Sequence, residues 1–134
     1  VELYRQAAEQ AGQDPAGLRL GASGHMFIGK TSQSARDSFY PYYAHYLREM
    51  GITGGAEFHR QGYDLWIQRG LPVGSPQQVT EEILKRVELL GIDRFLGQID
   101  VGNLPNAMIN ESLELFMTEV VPVVKRETAT ATSP

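Results

Sequence analysis

Gln98 and Asp100 stand two residues apart, and on an extended backbone that spacing puts both side chains on one face. The positions around them are mostly apolar, so an amide and a carboxylate close an otherwise hydrophobic strand. A buried carboxylate or amide is costly unless it is paired or wetted. In parallel α/β folds the carboxyl ends of the strands are where ligands sit. Both residues are therefore candidates for the wall of a ligand pocket. The competing structural reading is that Asp100 caps the following turn while Gln98 bonds backbone. Ser23 and His25 repeat the arrangement on an earlier segment. Histidine is the commonest general acid or base, which makes His25 the one candidate for catalysis. No partner constellation accompanies it, and a lone histidine in a strand is more often a satisfied structural residue. If the two segments are neighbouring strands, His25 and Gln98 look into the same cavity.

Gly102, Asn103 and Leu104, followed by Pro105, lead into a helix whose free N–H groups can meet an anion. Gly74-Ser75 offers the same at an earlier helix, but there Ser75, Pro76 and Gln78 form a complete capping signal that needs no ligand. Tyr40, Tyr42, Tyr43, Tyr46 and Trp66 can stack on a planar ring, or serve as core and interface. Glu81 and Glu82 read as solvated charge. No nucleophile elbow, P-loop or dinucleotide glycine fingerprint is present. The chain has no cysteine, and its three histidines, at 25, 45 and 59, lack the spacing of a zinc helix, so no metal is expected.

The elements that must hold these residues follow from periodicity. Residues 1–12 read as a helix ended by Gly12, and 14–17 as a turn. Leu18 to Gly29 is the first strand, with Leu18, Leu20, Ala22, Met26 and Ile28 on one face. Thr31 or Ser32 caps a helix running to about Met50, which Pro41 should kink or split. A short helix is expected within 57–69, burying Phe58, Leu65 and Trp66. Pro76 to Leu90 is an amphipathic helix ended by Gly91, Asp93 to Asp100 is the second strand, and Pro105 opens a final helix reaching Val124. Residues 126–134 lack apolar periodicity and are expected to be disordered.

The chain's 134 residues suit one domain with a real core. A net charge of −4, with the basic residues scattered, argues against a nucleic-acid footprint. No apolar run approaches the roughly 18 residues that span a bilayer. No signal peptide is visible, which makes the cytoplasm the expected location.

Val73-Gly-Ser-Pro-Gln-Gln-Val79, Glu82-Ile-Leu84, Gly91-Ile-Asp-Arg-Phe-Leu96, Gln98-Ile-Asp100, Gly102-Asn-Leu-Pro105 and Glu114-Leu-Phe-Met-Thr-Glu-Val-Val-Pro122 together resemble, in order and spacing, the carboxyl-terminal part of the bacterial luciferase-like monooxygenases. The stretch from Tyr4 to Tyr43 also looks like that family. The resemblance implies a (β/α)8 TIM barrel that uses reduced FMN or the deazaflavin F420 to oxidise a small organic substrate. On that template Leu18–Gly29 is the seventh strand and 94–100 the eighth, and the helices 76–90 and 105–124 belong to the outer ring. Asn103 stands where relatives usually carry a second glycine, and Asn106 where they often carry a histidine.

A full barrel takes roughly 200 residues or more. The resemblance therefore implies an incomplete α/β barrel at 1–125, with about two strands and four to five helices. The expected function is a piece of a flavin- or F420-dependent oxidoreductase, inactive alone and binding no cofactor by itself. The residues carried into its pocket are Ser23, His25, Gln98, Asp100, Gly102, Asn103 and Leu104. The alternative is a non-enzymatic oligomeric module without cofactor. Two barrel strands leave unpaired edges, so a homodimer or larger assembly is expected on either reading.

Overall fold

The computed structural model describes residues 1–54 and 56–130. A short helix α1 (Glu2–Gln10) is followed by a single 3₁₀ turn at Pro15–Gly17, where Asp14 Oδ1 accepts the Ala16 N–H at 3.0 Å. The expected first strand is there but divides at Met26 into β1 (Gly21–His25) and β2 (Phe27–Ile28).

Hydrogen bonding explains the division. Leu20 O accepts from Arg94 N–H, and Met26 N–H donates to Gln98 O at 2.9 Å. These even-numbered positions lie against β4 (Arg94–Gln98), which pairs with β1 in parallel. Phe27 and Gly29 donate instead to Pro72 O and Gly74 O, both at 3.1 Å. They pair β2 in parallel with β3 (Val73–Gly74). Successive residues of a strand aim their amides at opposite edges, so the segment has β4 on one edge and β3 on the other. β3 is a strand that periodicity does not reveal, because two residues before a helix cap carry no pattern. The odd edge of β1 and the outer edge of β4 have no partner strand among the described residues.

Helix α2 (Ser32–Glu49) starts at Thr31, whose hydroxyl accepts the Ser34 N–H in a reciprocal capping box. Of the two outcomes expected at Pro41, a split does not occur, and the helix runs through the proline. A proline inside a helix costs about 3 kcal/mol. Here Ala35, Phe39, Tyr43 and Leu47 bury one continuous stripe, and that burial outweighs the penalty. In α3 (Arg60–Gln68) it is Tyr63 and Ile67 that are buried. Leu65 is 42% exposed, against expectation, while Phe58 and Trp66 pack partly buried onto the core.

Helix α4 (Pro76–Leu90) is capped by Ser75, whose Oγ accepts the Gln78 N–H at 3.3 Å, and stops at Gly91 with φ 63°. The return half of the capping box is not made. The Gln78 amide folds over Gly74 instead, in space that any side chain at 74 would fill. Helix α5 (Asn106–Leu115) continues through a π turn at Phe116–Val120 into α6 (Val121–Thr130). Pro122 has no N–H to give the preceding turn, and the ladder widens just before it.

The last helix outlasts its expected end. Residues 126–130 are helical rather than unstructured, because α6 packs beside α4. Residues 131–134 of the expected tail lie outside the described residues. The core gathers Met26, Phe27, Ile28, Phe39, Tyr43, Tyr63, Val73, Val79, Ile99, Val101, Leu104 and Val120.

Candidate functional site

The parallel register sets Ser23 opposite Leu96 and His25 opposite Gln98. Paired residues share a face of the sheet, so four side chains from two segments some 70 positions apart in sequence line up on one surface. With Gly24, Gly97 and Asp100 they line an open cavity of about 610 Å³. Gly24 and Gly97 alternate with these residues, so a side chain at either would stand on the opposite face. On that face a Cβ at Gly97 would come within 2.6 Å of the Met26 methyl, so the buried Met26 side chain would have to shift.

Ser23, His25, Gln98 and Asp100 are thus brought together. Gly102, Asn103 and Leu104 are not among the residues lining this cavity. Leu104 is buried in the core. Gly102 (φ 66°) and Asn103 (φ 61°) form a left-handed turn, and the Gly102 backbone lies directly on the Tyr42 carbonyl, where a Cβ has no room. Glycine there answers a packing need. At the other helix start, Ser75 N–H donates to Ser32 Oγ at 3.4 Å, so protein already occupies one of its donors.

His25 has a partner. Its Nδ1 lies 3.1 Å from the Tyr43 hydroxyl, and the Tyr46 ring meets it edge-on at 5.0 Å between centroids. Burial lowers the His25 pKa from 6.5, so the ring is neutral at pH 7. Burial, and then the neighbouring Tyr46, push Tyr43 up to about 12, so its hydroxyl keeps its proton. Gln98 and Asp100 are exposed, and their side chains make no hydrogen bond among the described residues. The turn after Asp100 closes on backbone alone, through Val101 N–H to Ile99 O and Leu104 N–H to Val101 O. Asp100 is therefore not its cap.

Sequence reasoning does not find Leu96 as a wall of the cavity, Tyr43 as the partner of His25, or Ser112. The fully buried Ser112 Oγ on α5 accepts the Ile28 N–H at 2.8 Å and ties the strand end to that helix. A serine interrupting the apolar stripe of α5 is the one signal that points to it. A second groove, on the opposite face of β4, runs beneath α4 and α6 and is lined mainly by aliphatic groups such as Ile83, Val87 and Val124 together with Phe95. It holds no set of groups that could do chemistry. No group of three or more metal-ligating side chains is found among the described residues.

The chemistry available at the cavity is hydrogen bonding from a neutral imidazole, an amide and a hydroxyl, beside one carboxylate. No cationic side chain lines it. It suits the polar edge of a ring or a carbonyl compound better than a phosphate, which calls for cationic or clustered N–H donors.

Comparisons with known proteins agree on the fold. A solved monooxygenase, RslO1 from Streptomyces bottropensis, superposes with a TM-score of 0.71 over 90% of this chain at 21% identity. The oxygenating constituent of 3,6-diketocamphane monooxygenase from Pseudomonas putida, a type II Baeyer-Villiger enzyme solved with FMN, gives 0.61 over 90% of the chain at 28% identity. The chain spans 36% and 38% of those two chains, so its sheet is part of the barrel they carry. No curated protein sequence matches it. The family model for luciferase-like monooxygenases matches residues 1–94, which include β1, β2, α2 and α4. The chain belongs to the luciferase-like monooxygenase family.

Proposed function

We propose that this chain forms one wall of the pocket of a flavin-dependent monooxygenase acting on a small organic substrate, with Ser23, His25, Gln98 and Asp100 facing the bound ligand. One observation carries the reading. The β1–β4 register sets Ser23, His25 and Gln98 around one cavity, Asp100 joins them from just past the strand end, and Gln98 and Asp100 have no protein partner among the described residues. Reduced FMN would supply the electrons for dioxygen chemistry when bound, whereas the deazaflavin F420 would supply a hydride only. The residues here would orient the ring edge or the substrate and help exclude water from it. They do not fit the phosphate, because Asp100 is the only charged group on the cavity among the described residues and it repels an anion. The chain alone therefore holds neither FMN nor F420 tightly.

Titration of this chain with FMN and with F420, followed by fluorescence, should give no saturation below about millimolar. Tight binding would overturn the assignment of a single wall. In a chain extended to the length of its relatives, Asp100→Ala should lower turnover by about tenfold or more, on the scale of losing one charge-assisted contact. Unchanged kinetics would remove Asp100 from the site.

A second reading, an oligomeric module that carries no cofactor, is favoured by the exposed sheet face. Leu96 stands 53% exposed between two open strand edges. Such edges pair with other strands. On either reading we propose a homodimer or larger assembly, with its size in solution as the test.

A further inference from the structure

The structure assigns His25 as a hydrogen-bond donor to the cavity, held in its Nε2–H form by the Tyr43 hydroxyl acting as a positioning group. The inference rests on the pocket reading above and adds the direction of one hydrogen bond within it. The Tyr43 hydroxyl has one hydrogen-bond partner among the described residues, His25 Nδ1 at 3.1 Å. The Tyr43 ring is 2% exposed, so water does not offer its hydroxyl an easy alternative acceptor. A buried O–H left without an acceptor costs about 1–3 kcal/mol, whereas an idle lone pair on the same oxygen costs less. The pair is therefore best satisfied when Tyr43 donates and Nδ1 accepts.

A neutral imidazole that accepts at Nδ1 carries its proton on Nε2. Nε2 has no hydrogen-bond partner among the described residues, and the ring lines the cavity opposite Gln98. Edge contacts from Tyr43 and Tyr46, at 5.4 and 5.0 Å, fix the plane of the ring. His25 then offers an N–H to an acceptor oxygen, such as the carbonyl of a ketone or of a ring ligand. In this tautomer Nε2 carries the proton and Nδ1 is engaged, so the ring has no free lone pair with which to act as a base.

Nitrogen-15 NMR of the histidine side chains tests this without any ligand, with His25→Gln identifying the signals. The expected spectrum at pH 8 shows His25 protonated at Nε2, with Nδ1 shifted as a hydrogen-bonded acceptor. In Tyr43→Phe the Nδ1 signal should move to the position of a free lone pair while Nε2 stays protonated. A wild-type spectrum with the proton on Nδ1 overturns the assignment even if the variant fails to fold. An Nδ1 signal unchanged in a folded Tyr43→Phe overturns the role of Tyr43. Failure of FMN or F420 to bind an extended chain would count against the pocket reading and leave the tautomer result standing.

Discussion

Burial of the His25 ring links its protonation to folding. Its folded pKa lies below the 6.5 of the unfolded chain, so between the two values the unfolded state binds more protons. Stability from this group is complete above the unfolded value and declines as pH falls through that window. Calorimetric Tm measured from about pH 8 down to pH 5, the range in which histidine titrates, should fall on the acid side, and His25→Gln should flatten that part of the profile. An identical slope in the variant would assign the decline to other groups. Sequence alone offers His25 and Gln98 as polar positions on separate strands. It does not say that they are opposite one another, because register is a property of the pairing. Nor does it show Tyr43 as the partner of His25, since an aromatic on a helix stripe reads first as core.

Two contacts carry the joints between elements. Ser112 satisfies the Ile28 N–H at the end of β2, where α5 crosses it. Ser112→Ala leaves that buried donor unpaired and should lower unfolding free energy by about 1–3 kcal/mol in urea titration. A loss near zero would mean that the amide finds another acceptor. Gly102 combines φ 66° with backbone contact at Tyr42. Left-handed strain on a residue with a side chain costs of order 1–3 kcal/mol. The collision adds to it, so Gly102→Ala should destabilise more than Ser112→Ala by the same measurement. Helix signals were the most legible part of the chain. Thr31, Ser75 and Gly91 mark ends that the structure places within a residue of the sequence reading. Pro41 lies inside an unbroken helix and residues 126–130 extend the last one for the same reason: local propensity penalises both, and packing against a neighbouring element overrides it.

For the molecule as a whole, the open sheet is the dominant feature. Among the described residues β1 and β4 each have one free edge, and the glycines at 21, 24 and 97 leave the ribbon thin. Gel filtration should show a species larger than the 14.9 kDa chain, increasing with concentration. Leu96→Lys, which puts a charge on the exposed face, should shift it toward monomer. A compact monomer at every concentration would end the proposal of self-association.

The sequence by itself determined the helices with their caps, the two main strand segments, the polar residues at the strand ends and, through motif order, the resemblance to the luciferase-like monooxygenases. These are local or additive signals, written in periodicity and in single residues such as Ser75 and Gly91. Strand pairing and packing bring Ser23, His25, Gln98 and Asp100 to one cavity and put Gly102 against Tyr42 and Leu104 in the core. Only the tertiary structure revealed β3, the Tyr43–His25 pair and the Ser112 tie. The cavity, β3 and both ties depend on which amides of residues 20–29 face which neighbour, and a one-residue shift of that segment would turn Ser23 and His25 to the other face.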